Sequence, residues 1–466
     1  MLKRIEIFLP VLRAHGDGRH RVDRLFLGGG RGQKLHAWAG ISFWHGFGPS
    51  QIDCCLARIL ITTFGSLGDL FPYLAIALEL KRRGHEVTLA TQAIYAERIA
   101  AEGLRFHAVG PDVEPDDRKF IEQAMDARRG TERVLRFLSG HARTSYDQSL
   151  PAVRDADIVI THPIAFGAIL AVEKLRRPWI SSVLAPISYL SAHDPPLPAH
   201  DAWILKARFF GAGTMRAVWG LGEWVTRGWI REVFAIRREL GLPHGINPFL
   251  EHSPQLSLAL FSKWLADRPP DWPPQSVVTG FPFYDRGEAA PPELAQFLAA
   301  GPPPVVFTLG SSAVRTAGNF YCESLAAVQR LGLRAVLMVG RDTQGLPPRL
   351  PDNVLGIPYA PHAEVMPRGA LTVHQGGIGT TAQAMRAGRP QLIVPFGHDQ
   401  FDNANRVKRL GAGESLARQQ YTAANVERVL QRMLTERPYA EAAARLADRV
   451  RAERGSEAAA DAIEGL

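Results

Sequence analysis

Arg58-Ile59-Leu60-Ile61-Thr62-Thr63-Phe64-Gly65-Ser66-Leu67-Gly68-Asp69, followed by a helical stretch from 72 to about 83, Gly84 and Glu86-Val87-Thr88-Leu89-Ala90, is the part of the chain from which the fold can be read. An apolar run of this length ending at glycine is a strand covered on both faces, as in a parallel sheet. The spacing predicts a helix from Pro72 that Gly84 closes, then a second strand, which together make a βαβ unit. Its first loop, Gly65 to Asp69, falls at the carboxyl end of the first strand, where open α/β sheets bind ligands.

The alternation continues outward from this unit. Ile158-Val159-Ile160-Thr161 and Trp179-Ile180-Ser181-Ser182-Val183 read as further strands on either side of an apolar helix from Phe166 to Leu175. Between about 197 and 242 the rhythm stops, and a helical region carries Trp203, Phe209, Phe210, Trp219, Trp224, Trp229 and Phe234. A strand-like Ser276-Val277-Val278-Thr279-Gly280 follows, and prolines at 291–292 and 302–304 bracket a short linker helix. A second alternation begins at Val305-Val306-Phe307-Thr308-Leu309 and continues through 334–340, 371–373 and 391–395; the alanine-rich tail from 438 reads as one or two amphipathic helices. The expected fold is α/β, with a Rossmann-like doubly wound domain over 57–285, a linker over 286–303 and a second such domain with C-terminal helices over 304–466. The basic, glycine-containing segment 1–56 lacks periodicity and is expected to be a disordered extension, or translation from a start upstream of the true one.

Composition removes several function classes. With 46% apolar and 21% charged residues and no apolar run long enough to span a bilayer, the 466-residue chain reads as a globular protein of the cytoplasm. Cys54, Cys55 and Cys322 support neither a disulfide framework nor a zinc site, and no metal or cofactor is expected. The net charge of +8 is dispersed rather than blocked, which argues against nucleic acid and leaves contact with anionic headgroups at the inner membrane face as an expectation. Oligomeric state is not legible.

The chemistry concentrates in His374-Gln375-Gly376-Gly377-Ile378-Gly379-Thr380-Thr381, which follows a strand and opens a helix. Glycines allow close backbone approach, N–H groups at a helix start attract anions, and threonine hydroxyls add donors, so a diphosphate is the expected guest. No lysine follows the glycines, which excludes a P-loop. A glycine-rich structural turn is the plain alternative. Upstream, Tyr359-Ala360-Pro361-His362 offers an aromatic face for a base; downstream, His398-Asp399-Gln400 places an acid and an amide, suited to sugar hydroxyls, on the next loop.

These motifs, in this order and spacing, together with Gly-Ser-x-Gly-Asp-x-x-Pro-Tyr near residue 65, resemble the UGT-type nucleotide-sugar glycosyltransferases, family GT1. The likeness runs from about Arg58 to the C-terminal region and is closest to bacterial members acting on lipids, sterols and macrolide or glycopeptide antibiotics. The resemblance implies a GT-B fold, two Rossmann-like domains facing a cleft, and a metal-independent, inverting transfer of a hexose from a UDP- or dTDP-sugar to a small apolar acceptor. It implies that Tyr359 stacks on the donor base with Ala360 at the base edge, with His362 nearby. His374, Gly376, Gly377, Gly379, Thr380 and Thr381 would cradle the diphosphate, helped by Ser311, Ser312, Gly65 and Ser66. Asp399 and Gln400 would hold the sugar. Many relatives carry Glu where this chain has Ala382, which leaves UDP and dTDP both open.

Asp69 is the expected general base, because an attacking alcohol must lose its proton and the position matches the family's catalytic His or Asp. Asp as a plain helix N-cap before Pro72 is the alternative. His162 is an assistant or competitor base, or a structural ring at a strand end; His398 reads as loop support. Trp203, Trp219 and Trp224 are expected either to wall the acceptor pocket or to pack a core, and Arg216, Arg227 and Arg231 near them allow a membrane-surface role. Two other functions share the fold: a sugar-nucleotide epimerase, and a non-catalytic helper of a partner transferase. A dehydrogenase fits less well, since Gly65-Ser66-Leu67-Gly68 lacks the full dinucleotide fingerprint.

Overall fold

The structure, a computed structural model, describes residues 56–113, 117–198, 202–243, 247, 250–285, 289–340 and 346–466. The extension expected over 1–56 lies outside them except for Leu56, as do the side chain of Trp203 and residues 286–288 of the expected linker.

Seven strands form the first sheet: β1 (Arg58–Thr62), β2 (Glu86–Thr91), β3 (Arg105–Ala108), β4 (Ile158–Thr161), β5 (Trp179–Val183), β6 (Leu256–Ala259) and β7 (Ser276–Val278). Their order is β3-β2-β1-β4-β5-β6-β7, and every pairing is parallel. Six more form the second: β8 (Val305–Thr308), β9 (Ala335–Met338), β10 (Val354–Ile357), β11 (Leu371–His374), β12 (Gln391–Ile393) and β13 (Gly413–Ser415). Here the order is β10-β9-β8-β11-β12-β13, again wholly parallel. Both sheets are doubly wound, and each reverses direction once, between β1 and β4 and between β8 and β11. Those reversals open crevices at the carboxyl ends of the strands. β1, β4, β5, β8 and β11 are buried almost throughout, which accounts for their near-continuous apolar sequences.

Three features depart from the reading of the sequence. The first helix runs Leu67–Arg82, starting five residues ahead of Pro72. Ser66 caps it and Asp69, at the third helical position, completes a capping box that outweighs the single bond Pro72 removes, the one from residue 72 to the Gly68 carbonyl. Second, the last helix, Gly455–Glu464, does not stay with the sheet it follows: Ala459, Ala460 and Ile463 lie in the core of the first sheet. Arg83 ties it there through Asp461 and Glu464 at 2.7 and 2.6 Å. Third, Met125, which follows the Arg118–Ala124 helix between β3 and β4, is buried among Phe307, Leu309, Val394 and Phe396 of the second sheet's core, with Ile121 beside it. The linker helix Pro292–Ala299 packs Leu294 against Val306, Val336 and Met338 of the second sheet.

Candidate active site

Asp69 owes its position to the strained loop before it. Gly65 sits at φ +132°, and a Cβ there would lie 2.4 Å from Asp69 Oδ2, so only glycine leaves the carboxylate its place. The Gln92 carboxamide oxygen accepts the Gly65 N–H at 3.1 Å, and the Tyr95 hydroxyl donates to the Gly65 carbonyl at 2.8 Å. Ser66 donates to Asp69 Oδ2 from its backbone N–H at 2.7 Å and its hydroxyl at 3.0 Å. Gly65 and Ser66, expected at the donor, are here engaged in holding Asp69. Among the described residues no hydrogen bond falls on Asp69 Oδ1. Burial pushes this carboxyl above the ordinary aspartate range, against the pull of the Ser66 hydrogen bonds. The N-cap is Ser66, so Asp69 is not a cap that exhausts its own oxygens.

His162 lies at the end of β4 and is buried; its Nδ1 accepts the Ile164 N–H at 3.4 Å and its ring meets Tyr73 edge-on. Burial pushes it down to about 3, so it is neutral at physiological pH. It has no hydrogen bond to Asp69 among the described residues.

The second sheet supplies the other wall. The Ile378–Ala387 helix begins at Gly377 with no side-chain cap and no acid in its first turn, so its first N–H groups are left to bind an anion. Gly376, at φ +90°, packs so closely that a Cβ would lie 2.6 Å from Ile393. His374 works beneath this turn. It is fully buried; its Nδ1 accepts the Gly376 N–H at 3.0 Å, and its Nε2 meets the Gln391 carboxamide oxygen at 3.0 Å. An N–H can only donate, so Nδ1 carries no proton and Nε2 does. Burial pushes the ring down to about 4, with His362 close enough to lower it further. Both nitrogens are thus committed to the protein. In this structure the ring braces Gly376 rather than standing open to a ligand, and the N–H groups at the start of the Ile378–Ala387 helix are the donors left without a side-chain cap.

Gln375 donates to Thr380 Oγ1 at 3.3 Å, while Gln375 Oε1 and Thr381 Oγ1 are buried without a partner among the described residues. Ser311 and Ser312 follow β8 beside Gly310, where a Cβ would lie 3.3 Å from Thr380 Oγ1. Tyr359 is 54% exposed, Ala360 is wholly buried, backbone included, and His362 opens a short helix after them. Ala382 is buried in the same apolar cluster as Met385 and Ile393.

Asp399 and Gln400 start the Gln400–Arg409 helix. Gln400 Oε1 accepts the Phe396 and Gly397 N–H groups at 2.8 and 3.1 Å, which leaves its amide nitrogen for a ligand. Sequence reasoning missed Asn403, which donates to the Gly376 carbonyl at 2.9 Å and to Asp399 Oδ2 at 2.7 Å, joining the anion turn to the acid. The signal was its spacing, one helical turn after Asp399. His398, held at φ +55°, reaches the first sheet's domain through Thr131 Oγ1 at 3.2 Å.

The two walls meet. A Cβ built on Gly379 would lie 3.8 Å from Gly68 Cα, so the two helix starts touch and the acids converge beside them. Asp399 is pushed up to about 7, by burial first and then by the charge of Asp69. Between pH of about 4 and about 7 the unfolded chain has lost this proton while the folded chain keeps it, so stability falls as pH rises through that window and is level above it. Asp399→Asn keeps the Asn403 hydrogen bond and removes the slope. Its gain in unfolding free energy over the parent, measured by denaturant titration, grows from near zero at about pH 4 to a few kcal/mol at about pH 8; an equal gain at both values refutes the assignment.

Of the three tryptophans expected at the acceptor, Trp219 is half-buried and donates from Nε1 to the Ser191 carbonyl at 2.9 Å. Trp224 is 72% exposed. Among the described residues no cluster of three His, Cys, Asp or Glu side chains could hold a metal, and no helix is long and apolar enough to cross a membrane.

Comparison with known proteins bears on the family and the fold. Residues 59–191 match the model of the glycosyltransferase family 28 N-terminal domain, and residues 323–465 that of the erythromycin biosynthesis protein CIII-like C-terminal domain. An O-mycaminosyltylonolide 6-deoxyallosyltransferase of Streptomyces fradiae is 33% identical, over 87% of this chain and 97% of its own length. The chain belongs to the UGT-type glycosyltransferases. A sterol 3-beta-glucosyltransferase of Candida albicans is 28% identical over 77% of this glycosyltransferase, which spans only 24% of that longer protein. Two solved structures share the GT-B fold. The calicheamicin glycosyltransferase CalG4 has a TM-score of 0.65 at 19% identity, covering 88% of this chain and 98% of its own. The spinosyn rhamnosyltransferase SpnG complexed with thymidine diphosphate has 0.62 at 20%, covering 88% and 100%.

Proposed function

We propose that this glycosyltransferase moves a hexose from a dTDP- or UDP-sugar to a hydroxyl of a small apolar acceptor with inversion, and that Asp69 is the general base. The observation that carries this reading is the convergence of two raised carboxyls, Asp69 from the first sheet and Asp399 from the second, beside the uncapped start of the Ile378–Ala387 helix. In the proposed step the acceptor oxygen bonds to the anomeric carbon as the bond from that carbon to the diphosphate oxygen breaks. The hydroxyl proton passes to Asp69 Oδ1 and the leaving charge faces the helix N–H groups. A single in-line displacement inverts the anomeric carbon. Asp399, pushed up to about 7 and so changing charge near neutrality, donates to a sugar hydroxyl when protonated and accepts from one when ionised, and the Gln400 amide donates to a neighbouring one.

Relatives favour a thymidine diphosphate donor and a polyketide-like acceptor: one is named for O-mycaminosyltylonolide and 6-deoxyallose, and another was solved with thymidine diphosphate. The purified protein, given dTDP-rhamnose, dTDP-glucose or UDP-glucose with macrolide, sterol and lipid acceptors, should release nucleoside diphosphate only when an acceptor is present, and proton NMR of the product should show the inverted anomer. Isomerised donor in the absence of acceptor identifies an epimerase instead, and no turnover with any pair while a partner transferase is stimulated identifies a helper.

A further inference from the structure

We propose that the outer face of the Ala212–Trp229 helix, with the Arg208–Phe210 turn before it, docks on an anionic lipid surface. Of this 18-residue helix only Met215 is fully buried. Its anchoring cluster is small: Ala192, Ile204 and Met215, with Val218 and Trp219 against them. The opposite face carries Leu221 at 62%, Trp224 at 72% and Val225 at 39% exposure, and the preceding turn carries Phe209 and Phe210 at 79% and 78%. Glycines 213, 220 and 228 lie along the same side, and a Cβ on any of them would meet nothing within 4 Å, so no part of the described chain covers this strip. From Phe210 to Val225 it is roughly 23 Å long at 1.5 Å per residue. A strip this apolar on an otherwise polar surface marks a partner.

Charge selects the partner. From 201 to 232 the chain carries Lys206, Arg208, Arg216, Arg227 and Arg231 against Asp201, Glu223 and Glu232, and Arg227 and Arg231 already pair with Glu223 and Glu232 at 3.7 and 3.0 Å, so the excess positive charge is carried by Lys206, Arg208 and Arg216. A second copy meeting this patch across a two-fold axis would set the same cations against one another. A lipid surface bearing negative headgroups instead accepts aromatic and aliphatic side chains at the acyl boundary and pairs the arginines above them, the arrangement of an in-plane amphipathic helix. The strip lies in the domain of the first sheet, which also holds Asp69, so docking would bring an acceptor dissolved in lipid to the half of the molecule that binds it.

The test uses the full chain with vesicles of phosphatidylcholine alone and of equal parts phosphatidylcholine and phosphatidylglycerol. Co-sedimentation with the anionic vesicles only, weakening as salt rises, is the expected result. Phe210→Ser with Leu221→Ser should lower the partition coefficient by more than about tenfold, and Arg216→Gln by about fivefold. All three positions are exposed, and unchanged thermal melts verify that the variants are folded. Equal binding to both vesicles, binding to neither, or a double variant that binds like the parent overturns the proposal. So does a concentration-dependent dimer, seen by sedimentation velocity, that the double variant dissolves.

Discussion

Asp69→Asn lowers sugar transfer by roughly a hundredfold to ten-thousandfold and leaves thymidine diphosphate affinity unchanged. The size is that of losing a positioned general base. The change tests chemistry rather than folding, because the Asn carboxamide oxygen still accepts the Ser66 N–H and hydroxyl that hold Asp69 Oδ2. It also removes a carboxyl that burial already disfavours in its charged form, so the variant melts no lower than the parent. The parent's kcat/KM falls as pH drops through the raised Asp69 value, since only the ionised form accepts a proton, and this acid limb disappears in the variant. Rapid-quench rates with calorimetric nucleotide titrations separate the outcomes: near-parental turnover removes Asp69 as the base, while lost nucleotide binding shows instead a collapsed loop.

Arg406→Met destabilises the protein by about 3–5 kcal/mol, the cost of leaving a buried acid without its partner. Arg406 is 2% exposed and its Nε donates to Asp402 Oδ2 at 2.7 Å; Asp402 is itself buried and accepts the Leu197 N–H at 3.0 Å. The guanidinium also binds Asp194, which Arg409 reaches at 3.0 Å. Asp194 and Leu197 follow β5 of the first sheet, whereas Asp402, Arg406 and Arg409 belong to the helix that starts at Gln400, so the cluster ties the two walls of the site together. Burial raises the Asp402 carboxyl even with Arg406 beside it. Denaturant titration measures the loss, and Asp402→Asn on the Arg406→Met background restores part of it, because no unpaired charge is then left inside. A loss under about 1 kcal/mol for Arg406→Met would mean the cluster is solvated and carries little energy.

Local pattern and long-range packing contributed differently to what could be read. The strands 58–62, 86–91, 158–161, 179–183 and 305–308 were legible because a parallel strand buried on both faces is apolar along its whole length. Strands β3, β6, β10 and β13 were missed. They are short, and β3 and β13 expose part of their length at the sheet edges, which breaks the apolar run. Helix starts were misplaced where Pro72 looked like an initiator although Ser66 and Asp69 already formed the capping box. Asn403 escaped notice because its two partners, Gly376 and Asp399, are brought to it by a turn 27 residues away and by its own helix.

Taken by itself, the order of residues determined that two parallel α/β sheets form and that the loops carrying Asp69, Gly376–Gly379 and Asp399–Gln400 sit at strand ends. Periodicity and residue type are local properties, and the chemistry of an acid, an amide or a glycine turn does not depend on its neighbours in space. Only the tertiary structure decided which of those groups remain available. His374 spends both nitrogens on Gly376 and Gln391, Ser66 spends its donors on Asp69, Met125 crosses into the second core, and the last helix returns to the first. Burial and hydrogen-bond partnership arise between segments far apart in the chain. They are set by packing, which no short window of sequence contains.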